Sequence, residues 1–460
     1  MKQVFPAVSV ALNRTLLAGL IAVSPVLLNN ALSTIAPDFQ VSVVHAQVTA
    51  KNKYANLEQR KFPNVTESFG KKINEAANFL QPAEESVKPD PRRAMQLLNE
   101  MEANSAKANA YEKVLLHQYT GYAYLALENY PKAIDSFNKM LALTPNMPLA
   151  TESSTIRIVG QLYSQIDNPK KALETLLKWT DYADKLKPED SYMFSTLYYQ
   201  LDDNKNALLN INEAIRAQEA AGKVPAESWF TLQRGLLIDK EDYKGALVVT
   251  EKLIKHYSKA SYWKNLSQLY RMLDRTNDAL HALETCYMMG GLTTEKDIVN
   301  LAYSFLEAET PYKAAKVLRK GIYTDKIVEP TAKNLKTLAD ALRLAQESKE
   351  SLVEYERAAQ KSTDGELIIG LAQAYLANDK YKDASKWGRD ALRKGGIKRV
   401  DYANLTVAQA EFELKNYDEA IKFFREAGKD ARSAKVANQW IAFCEREKQK
   451  LKIAKEESES

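Results

Sequence analysis

The chain has 460 residues, 45% of them apolar, with 16 glycines, 15 prolines and a formal net charge of +5. That balance excludes a low-complexity or disordered polymer, and it is too weak to imply a nucleic-acid partner. Two cysteines exclude a disulfide-stapled scaffold, and the abundance of Ala, Leu, Lys, Glu and Gln favours helices.

Lys2 and Arg14 precede an apolar stretch from Leu16 to Leu28 that is short, and broken by Pro25, for a membrane-spanning helix. Val44-His45-Ala46 followed by Gln47 reads as a cleavage site. Residues 1–46 are therefore expected to be a signal peptide cleaved between Ala46 and Gln47. Cleavage nearer Ala31 or Ala36, or an uncleaved anchor, fits the same residues, because the apolar core lies far from Ala46. Residues 47–64 are polar and weakly patterned, and a loose lead-in is expected there.

Helices are predicted from residue 65. Phe69, Gly70 and Ile73 mark a first helix, a Pro-rich insert runs from Pro82 to Pro91, and Ala94, Leu98 and Met101 mark a second. The clearest unit follows, with Gly121, Tyr124, Ala133, Phe137 and Pro145 at fixed offsets. Its alanine or a stand-in recurs as Ala172, Ala207, Ala246, Ala279, Ala314, Ser351, Ala384 and Ala420, at intervals of 33 to 39 residues. A small residue stands twelve positions earlier (Gly160, Ser195, Ser267, Ala302, Ala339, Ala372, Ala408). A bulky one stands four later (Leu176, Ile211, Leu283, Leu318, Tyr355, Phe424). Trp263, Leu266, Ser267, Tyr270 and Ala279 repeat the unit most closely. Thr250 and Gly388 depart from the bulky rule and Arg234 from the small one, so the hairpin over 227–257 is expected to use Gly235 in a shifted register.

These spacings resemble the tetratricopeptide repeat (TPR) family, whose unit is a helix–turn–helix of about 34 residues. Small residues sit where paired helices approach closely, and Tyr124 and Phe137 fill the space beside that contact. An apolar stripe on each helix can be covered only by the next hairpin, so hairpins must stack. The fold expected is all-α, a right-handed α-solenoid of about ten TPR-like hairpins over 65–432. A capping helix over 433–450 carries Val436, Trp440, Ile441 and Phe443, and a charged tail over 451–460 is expected to fray.

Catalytic motifs are absent from the sequence. The four histidines, His45, His117, His256 and His281, form no metal-spaced cluster, and there is no phosphate loop or nucleophile elbow. Gly290-Gly291 and Gly395-Gly396 read as helix-ending turns, and Cys286 and Cys444 as separate buried thiols. No enzyme activity, cofactor or metal is expected.

The resemblance implies a protein-binding groove lined by the first helix of each hairpin. Carried over residue by residue, it names Gln118 and Tyr122; Arg157, Gln161 and Gln165; Tyr192, Tyr199 and Gln200; Lys264, Gln268 and Arg271; Lys296 and Tyr303; Lys333, Lys336 and Arg343; Gln373 and Gln409. Tyr124, Tyr163, Tyr198, Tyr270 and Tyr375 fall at the packed position and are expected in the core. Cations dominate the groove positions from Ala260 to Leu344, opposed by Glu307 and Asp340. They fit either a track for an acidic ligand or a solvated mixed-charge face. With its signal ending in VHAQ and its split first hairpin, the chain also resembles periplasmic TPR proteins associated with TonB-type energy-transduction systems. That resemblance implies a periplasmic scaffold, with TonB or its inner-membrane motor proteins as partner and a role in iron–siderophore uptake. An envelope-assembly or cell-wall scaffold, or a chaperone-like adaptor for exported polypeptides, would use the same groove.

Overall fold

The computed structural model describes residues 60–82, 87–183 and 185–459. The expected signal peptide, its cleavage site at Ala46 and Gln47, and the lead-in through residue 59 lie outside the described residues. Among the described residues there are 21 α-helices and no strand. They run as α1 (Glu67–Leu80), α2 (Pro91–Ala103), α3 (Ala110–Ala126), α4 (Tyr130–Leu141), α5 (Leu149–Gln165), α6 (Pro169–Thr180), α7 (Pro188–Gln200), α8 (Asn204–Ala220), α9 (Glu227–Asp239) and α10 (Tyr243–Tyr257). There follow α11 (Ala260–Met272), α12 (Thr276–Met288), α13 (Glu295–Glu307), α14 (Pro311–Arg319), α15 (Ala332–Leu344), α16 (Ser348–Gln360), α17 (Gly365–Ala377), α18 (Tyr381–Lys394), α19 (Val400–Glu413), α20 (Tyr417–Ala427) and α21 (Ala431–Glu459). Consecutive helices pair as hairpins, as a TPR-like helical solenoid requires, and α21 follows the last pair. The chain divides into two compact units, Met1–His256 and Tyr257–Ser460.

One turn is used nine times. From α3–α4 to α19–α20, three residues join the two helices of each hairpin, and the middle one has positive φ: Glu128, Asp167, Asp202, Glu241, Asp274, Glu309, Gln346, Asp379 and Lys415. The amide of the third residue donates to a carbonyl five residues back at 2.8–3.0 Å in all nine, as from Asn129 to Tyr124 and from Asn416 to Glu411. This is a Schellman closure, built here without glycine. In the first unit the third residue also caps the second helix. Asn129, Asn168, Asp203 and Asp242 each accept an amide from the first turn of the helix that follows.

Each of these nine turn residues lies five positions before the repeat alanine or its stand-in Ser351, which fixes the register. The small residue and the alanine meet where the helices approach. Ser195 and Ser267 donate to the carbonyls of Ala207 and Ala279, at 2.8 and 2.7 Å, and Ser351 donates in the opposite direction to Ala339. A Cβ on Gly121 would fall 2.5 Å from the Phe137 ring, and one on Gly160 would fall 2.5 Å from Leu176.

The expected shift to Gly235 is corrected. A Cβ there would meet nothing within 4 Å, whereas Ala246 is fully buried five residues after Glu241. The register is continuous: Arg234 holds the position usually given to a small residue, and the bulky position carries the small, buried Thr250. Gly388, the other departure, is small because Val407 of the next hairpin fills its space, 2.5 Å from where a Cβ would stand.

The core follows the repeat. Phe137, Leu176, Ile211 and Phe230 are fully buried in the first unit, and Leu318, Leu338 and Phe424 in the second. Tyr375 is buried, while Tyr124, Tyr163, Tyr198 and Tyr270 are half-buried. Lys132, Lys171 and Arg275 cover the rings of Tyr124, Tyr163 and Tyr270. Trp263 is partly buried against the core around Phe305. Pro145 stands in the loop between α4 and α5. Gly290, Gly395 and Gly396 have positive φ just past the ends of α12 and α18. Cys286 and Cys444 are free and buried, and burial pushes the Cys444 thiol up to about 11.

Helix α21 packs Trp440 flat on Phe424 and edge-on against Phe412. It extends without a break through the residues expected to cap and into the charged tail. No described helix is long and apolar enough to cross a membrane.

Candidate protein-binding face

The first helices of the hairpins carry the residues expected to bind. Five of these residues contact the neighbouring hairpin. Arg157 on α5 donates to Asp190 on α7 at 2.5 Å and lies over the Trp179 ring. Tyr192 on α7 stacks on Trp229 of α9, with centroids 5.4 Å apart and planes 23° apart. In the second unit, Lys264 on α11 reaches Asp297 on α13 at 2.8 Å. These three pairs are one contact repeated, from three positions before the small residue of one hairpin to five before that of the next. Arg271 follows the same step, donating to Ser304 at 2.6 Å, and the Tyr303 hydroxyl lies 3.4 Å from that of Thr337.

Gln118 and Tyr122 are buried beside each other, with the Gln118 amide 3.3 Å from the Tyr122 hydroxyl and the Tyr122 ring edge-on to Phe137. Gln161 and Tyr199 are half-buried in the first unit, and Gln200 is exposed. Burial, with Asp239 and Asp202 nearby, raises the Tyr199 phenol, and burial raises that of Tyr192.

In the second unit the charges are partly neutralised. Lys336 pairs with Asp340 one turn on at 2.6 Å. The buried Tyr355 hydroxyl donates to Asp340 and receives a long bond from Arg343 at 3.4 Å. Burial first, and then Asp340, hold the Tyr355 phenol far above its usual range. Lys296 and Lys333 are exposed and have no carboxylate partner among the described residues, while Gln268 and Tyr303 are exposed between the pairs. Gln373 and Gln409 are half-buried further along.

The acceptors Asp190 and Asp297, and the ring of Trp229, did not figure among the expected site residues. Their signal is the arithmetic of the repeat: a cation and an acid 33 residues apart occur twice at the same phase. No group of three or more His, Cys, Asp or Glu side chains is placed to hold a metal among the described residues.

Two family profiles match parts of the chain. Residues 170–336 match the ChAPs family (Chs5p-Arf1p-binding proteins), and residues 402–427, which lie on α19 and α20, match the tetratricopeptide repeat. No curated protein matches. Among solved structures, a tetratricopeptide repeat protein from Parabacteroides merdae is similar at 14% identity and TM-score 0.33, over 55% of this chain and 93% of that one. MamA from Desulfovibrio magneticus RS-1 is similar at 17% identity and TM-score 0.30, over 38% of this chain and 95% of that one. YrrB, described as a TPR protein with an unusual peptide-binding site, is similar at 16% identity and TM-score 0.31, over 41% of this chain and 89% of that one. A TPR repeat is present, and the hairpins with their common turn form a TPR-like helical fold of the kind that serves as a scaffold for protein–protein interaction.

Proposed function

We propose that the chain is an exported scaffold that captures an extended, carboxylate-rich segment of a partner protein on the first-helix face of its second unit. The observation that supports this most is the pair of exposed cations, Lys296 and Lys333, at equivalent positions of neighbouring hairpins. Both are left over after Lys264 and Lys336 are taken by Asp297 and Asp340. The exposed ring of Tyr303 lies on the same helix as Lys296, and Arg271 lies on the first helix of the preceding hairpin. Exposed cations of this kind attract an acidic segment over a Debye length and hold it by charge-assisted bonds. Binding of a fluorescent poly-glutamate peptide, weakened at least tenfold by Lys296→Glu with Lys333→Glu and falling steeply with salt, is expected. Unchanged binding ends this assignment.

The N-terminal sequence supports a periplasmic location, and the whole-chain resemblance supports a partner in a TonB-type system. We propose both together: a periplasmic accessory scaffold acting in iron–siderophore uptake. Osmotic-shock fractionation tests the first. Growth of a deletion strain on chelated iron tests the second, and normal siderophore-dependent growth would rule that role out in favour of an envelope-assembly scaffold or an adaptor for exported polypeptides.

A further inference from the structure

Residues 60–66, Arg-Lys-Phe-Pro-Asn-Val-Thr, lie in the first unit before α1 and contact α3 and α5 through every second residue. The Arg60 guanidinium pairs with Glu152 on α5 and lies 3.4 Å from the Met147 carbonyl. The Phe62 ring packs 4.5 Å from that of Tyr111. The Asn64 carbonyl accepts from Asn109 at 2.9 Å, and the Thr66 amide and hydroxyl donate to Glu112 at 2.9 and 2.6 Å. Lys61 and Pro63, between them, are exposed; Asn64 and Thr66 are exposed as well and hold on by hydrogen bonds, while Val65 is half-buried beside Gly70 of α1. Inward contacts with a period of two are how an extended peptide is read by a receptor surface.

The contact at Arg60 is a built pocket. The Glu152 side chain is only 8% exposed, and the Tyr182 hydroxyl donates to its other oxygen at 2.7 Å. A carboxylate buried to this degree is costly without a cation, and a planar guanidinium satisfies both the carboxylate and a neighbouring carbonyl. Arg60 is itself largely covered, at 17% side-chain exposure. The N-terminal cap of α3, closed by Asn109 and Glu112, gives the strap its second anchor.

We propose that Glu152, Tyr182 and the Met147 carbonyl form a guanidinium-binding pocket that Arg60 occupies in cis. Residues 60–66 are then a displaceable strap, and the site takes an extended peptide carrying arginine with an aromatic residue two positions later. The cis strap competes with that peptide at high effective concentration, so the unaltered chain binds it weakly. This assignment is independent of the acidic-segment reading of the second unit.

The test uses the full chain and a labelled heptapeptide, RKFPNVT. The Arg60→Ala chain is expected to bind it at least tenfold more tightly than the unaltered chain. Adding Glu152→Gln, or replacing the peptide's arginine by alanine, should remove that gain. Equal affinity for the unaltered and Arg60→Ala chains, or a gain that survives Glu152→Gln, overturns the proposal. Should Arg60→Ala fail to fold by circular dichroism, hydrogen exchange on the unaltered chain decides. Excess heptapeptide is expected to speed exchange of amides in 60–66 at least tenfold, leaving Pro91–Ala103 unchanged, and no acceleration overturns the proposal.

Discussion

Lys264 Nζ lies 2.8 Å from Asp297 Oδ1, joining α11 to the first helix of the next hairpin. A side chain at a groove position is thus part of the joint between hairpins. Charge reversal there acts on stability before it acts on any ligand. Lys264→Glu places two carboxylates together and is expected to destabilise the second unit by about 1 kcal/mol, a partly exposed pair in water. Lys333→Glu, at an exposed cation with no carboxylate partner among the described residues, is expected to leave stability within about 0.5 kcal/mol. Urea midpoints for the two variants separate a joint residue from a free one. Equal midpoints would show that the Lys264 pair carries no load.

Gly121 and Gly235 occupy neighbouring positions of the repeat frame but different surroundings. Gly121→Leu forces a side chain into the Phe137 ring and is expected to cost at least about 2 kcal/mol. Phe137→Ala in the same chain should recover part of that loss, since the two substitutions exchange volume. Gly235→Ala enters open space in a helix interior and is expected to stabilise by up to about 1 kcal/mol. Thermal denaturation reads all three. A loss on Gly235→Ala would mean that the space beside it is used.

The nine turns each hold an L-residue in the left-handed region, where a Cβ is unfavourable. Gln346→Gly and Glu241→Gly should each raise stability by roughly 0.5 kcal/mol, the relief of strain exceeding the entropy cost of glycine. The residues belong to different units, so the effects should add. A chemical-denaturation series on the single and double variants checks both sign and additivity.

Asp401 ties α19 to α21. Arg399 donates to it at 2.6 and 2.8 Å and Ser433 at 2.7 Å. Arg399 first, and then the Ser433 hydroxyl, hold this buried carboxyl well below the usual carboxylate range against the opposing effect of burial. A group whose pKa is lowered by folding stabilises fully above its unfolded value, near about 3.9, and loses that contribution as pH falls through the window below it. Amide exchange in α21 is therefore expected to quicken as pH is lowered from 6 toward 3, after correction for intrinsic rates. Asp401→Asn should flatten that dependence, and a variant that keeps the full acid response would remove Asp401 as its source.

The sequence by itself determined the hairpins, their period and their close contacts, because Gly121, Ala133 and Phe137 recur at fixed offsets and each offset is a local packing requirement along paired helices. It also carried the composition that a stacked helical fold needs. The register at Arg234 was decided only by the tertiary structure, since the rule that expects a small residue at one position and a large one at the other is broken at both, by Arg234 and by the buried Thr250. The same holds for the face available to a partner. Arg157, Tyr192 and Lys264 look like ligand contacts in one repeat read alone, and Asp190, Trp229 and Asp297 claim them once the next repeat is stacked. Periodicity along the chain says which way a side chain points, whereas its freedom depends on what a different hairpin places opposite it.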